Sequence, residues 1–137
     1  MYLGLDIGEV RTGIALCEGE PFIALPLITT STQSLIDNLA RLIDQHRTKV
    51  IVIGLPLNMN GQEGKQAQYV RKIAEQIEVN FPIKVEFFDE RLTTQESLKA
   101  LRVAGIKASK GKKHVDEMSA QIILQTYLDK TCFGSGK

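Results

Sequence analysis

Eight residues near the middle of the chain, KVIVIGLP (49–56), restrict the fold more than any other feature. A strand with one wet face alternates apolar and polar side chains. A continuous apolar run of strand length instead predicts a strand covered on both faces. Helical periodicity flanks it. STQSLIDNLARLIDQH carries Leu35, Ile36, Leu39, Leu42 and Ile43 at helical spacing, with Ser31 or Thr32 available as N-cap. Beyond the loop LNMNGQEG, Ala67, Val70, Ile73, Ala74 and Ile77 mark a second helix.

The N-terminal third has period two. YLGLDI predicts a first strand with Leu3, Leu5 and Ile7 on one face and Tyr2, Gly4 and Asp6 on the other. TGIALC and FIALPLIT predict two more, with a turn over Glu18–Pro21, which suggests an antiparallel meander. IKVEFF predicts a fifth strand. Thr93 and Glu96 fit a capping box for a third helix, and VDEMSAQIILQTYLDK predicts the last. The expected architecture is α/β: a five-stranded mixed sheet, three strands in a meander and two parallel, with helices on both faces. The whole chain, 1–137, reads as one domain, with a disordered tail from about residue 132.

No apolar run approaches the roughly 18 residues that a membrane span needs, and no secretory signal is expected. Cys17 and Cys132 lie far apart, in no metal-binding spacing, which suits a reducing, cytoplasmic setting. Charge is uneven along the chain. Residues 1–60 carry 4 Lys/Arg against 6 Asp/Glu, and residues 61–137 carry 13 against 10. Much of the excess lies in RVAGIKASKGKKH, which contains Lys110, Lys112 and Lys113 and no acid. A run of this kind is either a solvated loop or a grip on phosphates.

Three acids share a distinctive placement. Asp6 ends the first strand before a Gly-rich turn, Glu90 follows the fifth strand, and Asp116 opens the last helix. Each has an ordinary use: Asp6 as a turn former, Glu90 as a partner for Arg91 or a lysine, Asp116 as an N-cap. Were they to converge to about 5 Å, each pair would repel by roughly 3 kcal/mol at an effective dielectric of 20. Protons or a cation would have to compensate. Oxygen ligands without Cys or His select hard ions, Mg²⁺ or Mn²⁺, which serve phosphodiester cleavage. Asn58 and Asn60 either contact a nucleic-acid backbone or form a plain turn, Arg11 and Arg91 either meet phosphate or pair at the surface, and His114 is either a proton donor or an exposed loop residue. The chain lacks Trp, and its Tyr and Phe mostly fall in apolar patterns, so base stacking is not suggested.

Four stretches, LDIGEVRTGIAL, VIVIGLPLNMNG, FFDERLTT and KHVDEMSAQIIL, resemble the motifs of the YqgF family, from Met1 to about Leu128. These are bacterial proteins of RNase H-like fold related to RuvC-type resolvases. The resemblance implies that Asp6, Glu90 and Asp116 are the catalytic acids holding a divalent metal. It implies a nuclease processing the 5′ end of the 16S ribosomal RNA precursor or, alternatively, a Holliday junction resolvase, acting as monomer or homodimer. Two departures favour a metal nuclease in general over junction resolution. No carboxylate follows the fourth strand before Glu63, and only Glu117 could serve as a fourth acid. DIGEVRTGIAL also resembles the phosphate hairpin of actin-like ATPases, but those use two lobes and this chain has length for one. A non-catalytic nucleic-acid-binding factor in ribosome assembly or transcription is the remaining alternative.

Overall fold

The unbroken apolar strand lies inside the sheet, as its composition requires. In the computed structural model, which describes residues 1–92 and 113–134, the strands are β1 (Tyr2–Ile7), β2 (Arg11–Cys17), β3 (Leu25–Ser31), β4 (Val50–Leu55) and β5 (Lys84–Asp89). Their order is β3-β2-β1-β4-β5. β1–β2 and β2–β3 pair antiparallel, whereas β4 runs parallel to both β1 and β5. The meander and the two parallel strands are therefore as expected. All three parallel strands, β1, β4 and β5, end at the same edge of the sheet.

Side-chain alternation sorts the core into two layers. Leu3, Leu5, Ile7, Ile51, Ile53 and Leu55 pack beneath helices α1 (Leu35–His46) and α2 (Lys65–Asn80). Ala15, Cys17, Val52 and Phe88 pack on the opposite face against Ala120, Ile123, Leu124 and Leu128 of α3 (Lys113–Leu128). Gly4 admits α3 to β1. A Cβ there would lie 2.7 Å from Leu124 Cβ and 3.1 Å from the Ala120 carbonyl oxygen. The Tyr2 ring lies 6.3 Å from that of Tyr127. Helix α3 thus descends β1 in the reverse sense, and its first turns reach the edge where Asp6 stands.

The third strand differs from expectation. It was predicted over 22–29 but runs from Leu25 to Ser31. The cause is tertiary. Gln125 Oε1 accepts from the Ala24 N–H (2.8 Å), Gln121 donates to the Ala24 carbonyl (2.9 Å), and Gln125 donates to that of Phe22 (3.1 Å). Residues 22 and 24 therefore bond to helix side chains instead of joining β2. Ser31 caps a short 3-10 turn, Thr32–Ser34, and α1 follows. The last helix begins two residues earlier than expected, so Asp116 is its fourth residue and not its N-cap. A π-helical turn over Asp129–Gly134 continues from it. The predicted capping box at Thr93–Glu96 and the basic residues Lys110 and Lys112 lie outside the described residues.

Candidate active site

The pleat decides which acids can meet. Asp6 shares a face with Tyr2 and Gly4, toward α3. On β5, Phe88 faces α3, whereas Val85 packs in the opposite layer and Phe87 meets Arg71 of α2. Continuing the alternation turns Asp89 away from α3 and brings Glu90 toward it. A Cβ on Gly54, at the end of β4, would stand 3.0 Å from Glu90 Oε2 and 2.6 Å from Ile123 Cδ1. Glu90 therefore lies across the end of the neighbouring strand, toward β1. Both Asp6 and Glu90 are half-buried.

The electrostatics follow from that placement. Burial, with the nearby negative charges of Asp6 and then Asp89 adding to it, pushes the Glu90 carboxyl up to about 7. Asp89 behaves oppositely. The Arg91 guanidinium holds its carboxyl below the usual carboxylate range. Two adjacent acids at one strand end are thus driven apart in proton affinity, which is a recurring mark of functional carboxylates.

The turn after Asp6 is firmly held. Gly8 N–H donates to the Arg11 carbonyl (2.9 Å), and the Thr32 N–H to that of Val10 (2.9 Å). The buried Thr32 hydroxyl donates to the Gly8 carbonyl (2.6 Å), so the buried Thr12 hydroxyl is the donor in its 2.8 Å contact with Thr32. Arg11 is exposed at the start of β2, on this hairpin.

The remaining candidates shape a second loop at the same edge. Leu57 and Glu63 bridge, Gly61 N–H donates to the Asn58 carbonyl (2.8 Å), and Asn58 N–H to that of Gln62 (2.8 Å). Gly61 takes the left-handed backbone (φ 84°) this tight turn requires. Asn60 Oδ1 accepts from the Gln62 N–H (3.1 Å). Arg91 grips both Asp89 oxygens, at 2.7 Å for the closest contact, and donates to the Met59 carbonyl (3.3 Å). Asn60 and Arg91 therefore spend polar atoms within this edge of the protein.

Helix α3 carries the rest. Asp116 precedes Ala120 by one turn on the helix row that meets Gly4, and Lys113 and His114 lie in the same first turn. Glu117 accepts from the Thr29 hydroxyl (3.4 Å). Thr29 pairs with Gly13, which pairs with Asp6, so Glu117 overlies the sheet row of Asp6. Among the described residues no three of His, Cys, Asp and Glu come together as a metal group. Sequence reasoning did not single out Asp89, Gly54 or the Thr12–Thr32 pair. Only the consecutive acids at the end of β5, and a lone glycine in an apolar strand, could have signalled the first two.

The model of a family described as "RuvX: Holliday junction resolvase" matches residues 1–130. A Chloroflexus aggregans protein named "Putative pre-16S rRNA nuclease" is 40% identical over 130 residues, covering 93% of this chain and 92% of that protein. Among solved structures, Thermus thermophilus RuvC superposes with a TM-score of 0.63 at 15% identity, over 97% of this chain and 96% of the other. The same protein in complex with a Holliday junction substrate gives a TM-score of 0.60 at 10% identity, over 96% and 95%. These likenesses show the RNase H-like fold expected from the motifs.

Proposed function

The chain belongs to the RuvX family and is a hydrolytic nuclease, and from that premise we propose that it is a divalent-metal-dependent endonuclease of structured nucleic acid. Its first substrate in this reading is the 16S ribosomal RNA precursor, cut at the 5′ end in the cytoplasm. One observation carries the site assignment. Asp6 lies on β1 and Glu90 just past β5, yet Glu90 lies over Gly54 of the intervening β4, where burial and then the Asp6 charge raise its carboxyl to about 7.

That electrostatic cost fits a cation. The donors are carboxylate oxygens alone, the set that suits Mg²⁺ or Mn²⁺. Asp6, Glu90 and Asp116 would hold the ion, as the catalytic acids. When bound, such an ion activates water and steadies the leaving oxygen in phosphodiester hydrolysis. The chain's own groups do the rest. Arg11 meets backbone phosphate from the hairpin after Asp6. Lys110, Lys112 and Lys113 grip the backbone further along. Asn58, Asn60 and Arg91 present the loop beside the acids to the same backbone.

A four-way DNA junction is the second reading, favoured by the family's description and by the junction-bound neighbour of the same fold. A junction has two strands to cut symmetrically, so this reading requires a homodimer, whereas the first works with a monomer. The test presents precursor RNA and a four-way junction side by side, with Mn²⁺ and with chelator. RNA cleavage dependent on Mn²⁺ is expected. Preferential junction cutting selects the second reading, and undiminished cutting in chelator removes the metal. RNA binding without cleavage, unaltered in the Asp6→Asn/Glu90→Gln/Asp116→Asn variant, would make the protein a non-catalytic assembly factor.

A further inference from the structure

We propose that Gly54 is a positioning residue for Glu90: the missing side chain at the end of β4 is the space through which Glu90 reaches toward Asp6. This rests on the metal-site reading above and adds the residue that sets its geometry. β4 is otherwise a strand of Val, Ile and Leu, and Val50 and Val52 precede Gly54 on the face toward α3. Glycine inside a strand forfeits packing and costs chain entropy. Its backbone angle gives no reason for it, since among the described residues the left-handed glycines are Gly19 and Gly61.

The neighbours give the reason. A Cβ at Gly54 would lie 3.0 Å from Glu90 Cγ, 3.0 Å from Glu90 Oε2 and 2.6 Å from Ile123 Cδ1. Adjacent strands lie about 4.8 Å apart, so a side chain just past the end of β5 must cross the full width of β4 to approach one on β1. Any side chain at position 54 would stand in that path. The crowded atoms belong to movable side chains, not main chain. Substitution therefore displaces Ile123 Cδ1 most and pushes the Glu90 side chain aside as well, while the sheet can stay.

The experiment uses the full chain as Gly54→Ala and as Gly54→Ala/Ile123→Val, the second removing the Ile123 methyl so that Glu90 alone is crowded. Crystal structures should show superposable β4 and β5, with the Glu90 carboxylate displaced from over residue 54. Calorimetric titration with Mn²⁺ should show affinity reduced by about 10-fold or more, the range seen when groups orienting metal ligands are changed. In a Glu90→Gln background the same substitution should reduce affinity no further. An undisplaced Glu90, or an equal loss in the Glu90→Gln background, overturns the inference. A parent that binds no Mn²⁺ removes the metal from the proposed function. The crystallographic comparison then decides the role of Gly54 on its own.

Discussion

Asp6 lies near the end of β1 and Glu90 directly follows β5, with β4 between them, yet the proton affinity of Glu90, raised first by burial, is raised further by the charge of Asp6. The relationship spans β1, β4 and β5, neighbours in the sheet though β1 and β4 are far apart in the chain, and it makes the protein's stability depend on pH.

The stability of the metal-free protein should fall as pH rises. Glu90 holds its proton to about pH 7 in the folded state against an ordinary 4.5. A raised carboxyl stabilises the fold fully below about pH 4.5 and loses that contribution as pH passes through about 7, a change on the order of 3 kcal/mol. Urea midpoints in chelator should therefore drop between about pH 5 and pH 8. Glu90→Gln should flatten the profile. A profile equally steep in that variant would place the titrating group elsewhere.

Asp6→Asn should abolish cleavage while leaving the fold intact. The substitution keeps the shape and removes the charge from a half-buried position at the end of β1. Circular dichroism and a cleavage assay on precursor RNA check the two halves. Parent-rate cleavage, in a preparation free of contaminating nuclease, would refute the assignment.

Thr32→Val should destabilise more than Thr12→Val. Thr32 both accepts from Thr12 and donates to the Gly8 carbonyl, so its removal strands a partner on each side, costing about 1–3 kcal/mol. Thr12→Val leaves the Gly8 contact in place and should cost nearer 1 kcal/mol. Chemical denaturation at fixed pH gives the order, and the reverse order would exclude this donor arrangement.

Gly4→Ala should loosen α3 from the sheet. Its Cβ would meet Leu124 Cβ at 2.7 Å and main chain of Ala120 at 3.1 Å, so the helix itself must move. Overpacking of this kind costs about 1–3 kcal/mol. A lower melting temperature with faster amide exchange along 120–124 is expected. An unchanged melting temperature would mean that the approach of α3 is not close.

Arg91→Lys should free the 58–61 loop without unfolding the domain. A lysine cannot hold both Asp89 oxygens and also reach the Met59 carbonyl, because its single ammonium lacks the guanidinium fork. Exchange of the Gly61 and Gln62 amides should accelerate, while those of β4 remain protected. Unaltered exchange in the loop would remove Arg91 as its brace.

Local periodicity carried much of the fold because it reports the nearest physical demand on each residue. Leu3, Leu5 and Ile7 had to share a face, KVIVIGLP had to be covered twice, and the apolar stripes of α1 and α2 had to meet that sheet. The boundary of β3 was not legible in the same way. FIALP has strand composition, but the partners of Phe22 and Ala24 are glutamines roughly a hundred residues away. The loop at 57–63 was legible as a turn, since N-x-N-G favours one. Its tie to Asp89 through Arg91 was not.

The sequence by itself determined that five strands form, that helices follow β3 and β4 and close the described chain, and that acids sit at the ends of β1 and β5. Side-chain period and turn chemistry are local, so one chain suffices to read them. Only the tertiary structure decided that Glu90 and not Asp89 turns toward Asp6, and that Gly54 leaves the path between them open. Those outcomes depend on strand order, pleat and the exclusion of water between layers, which arise from contacts between residues far apart along the chain.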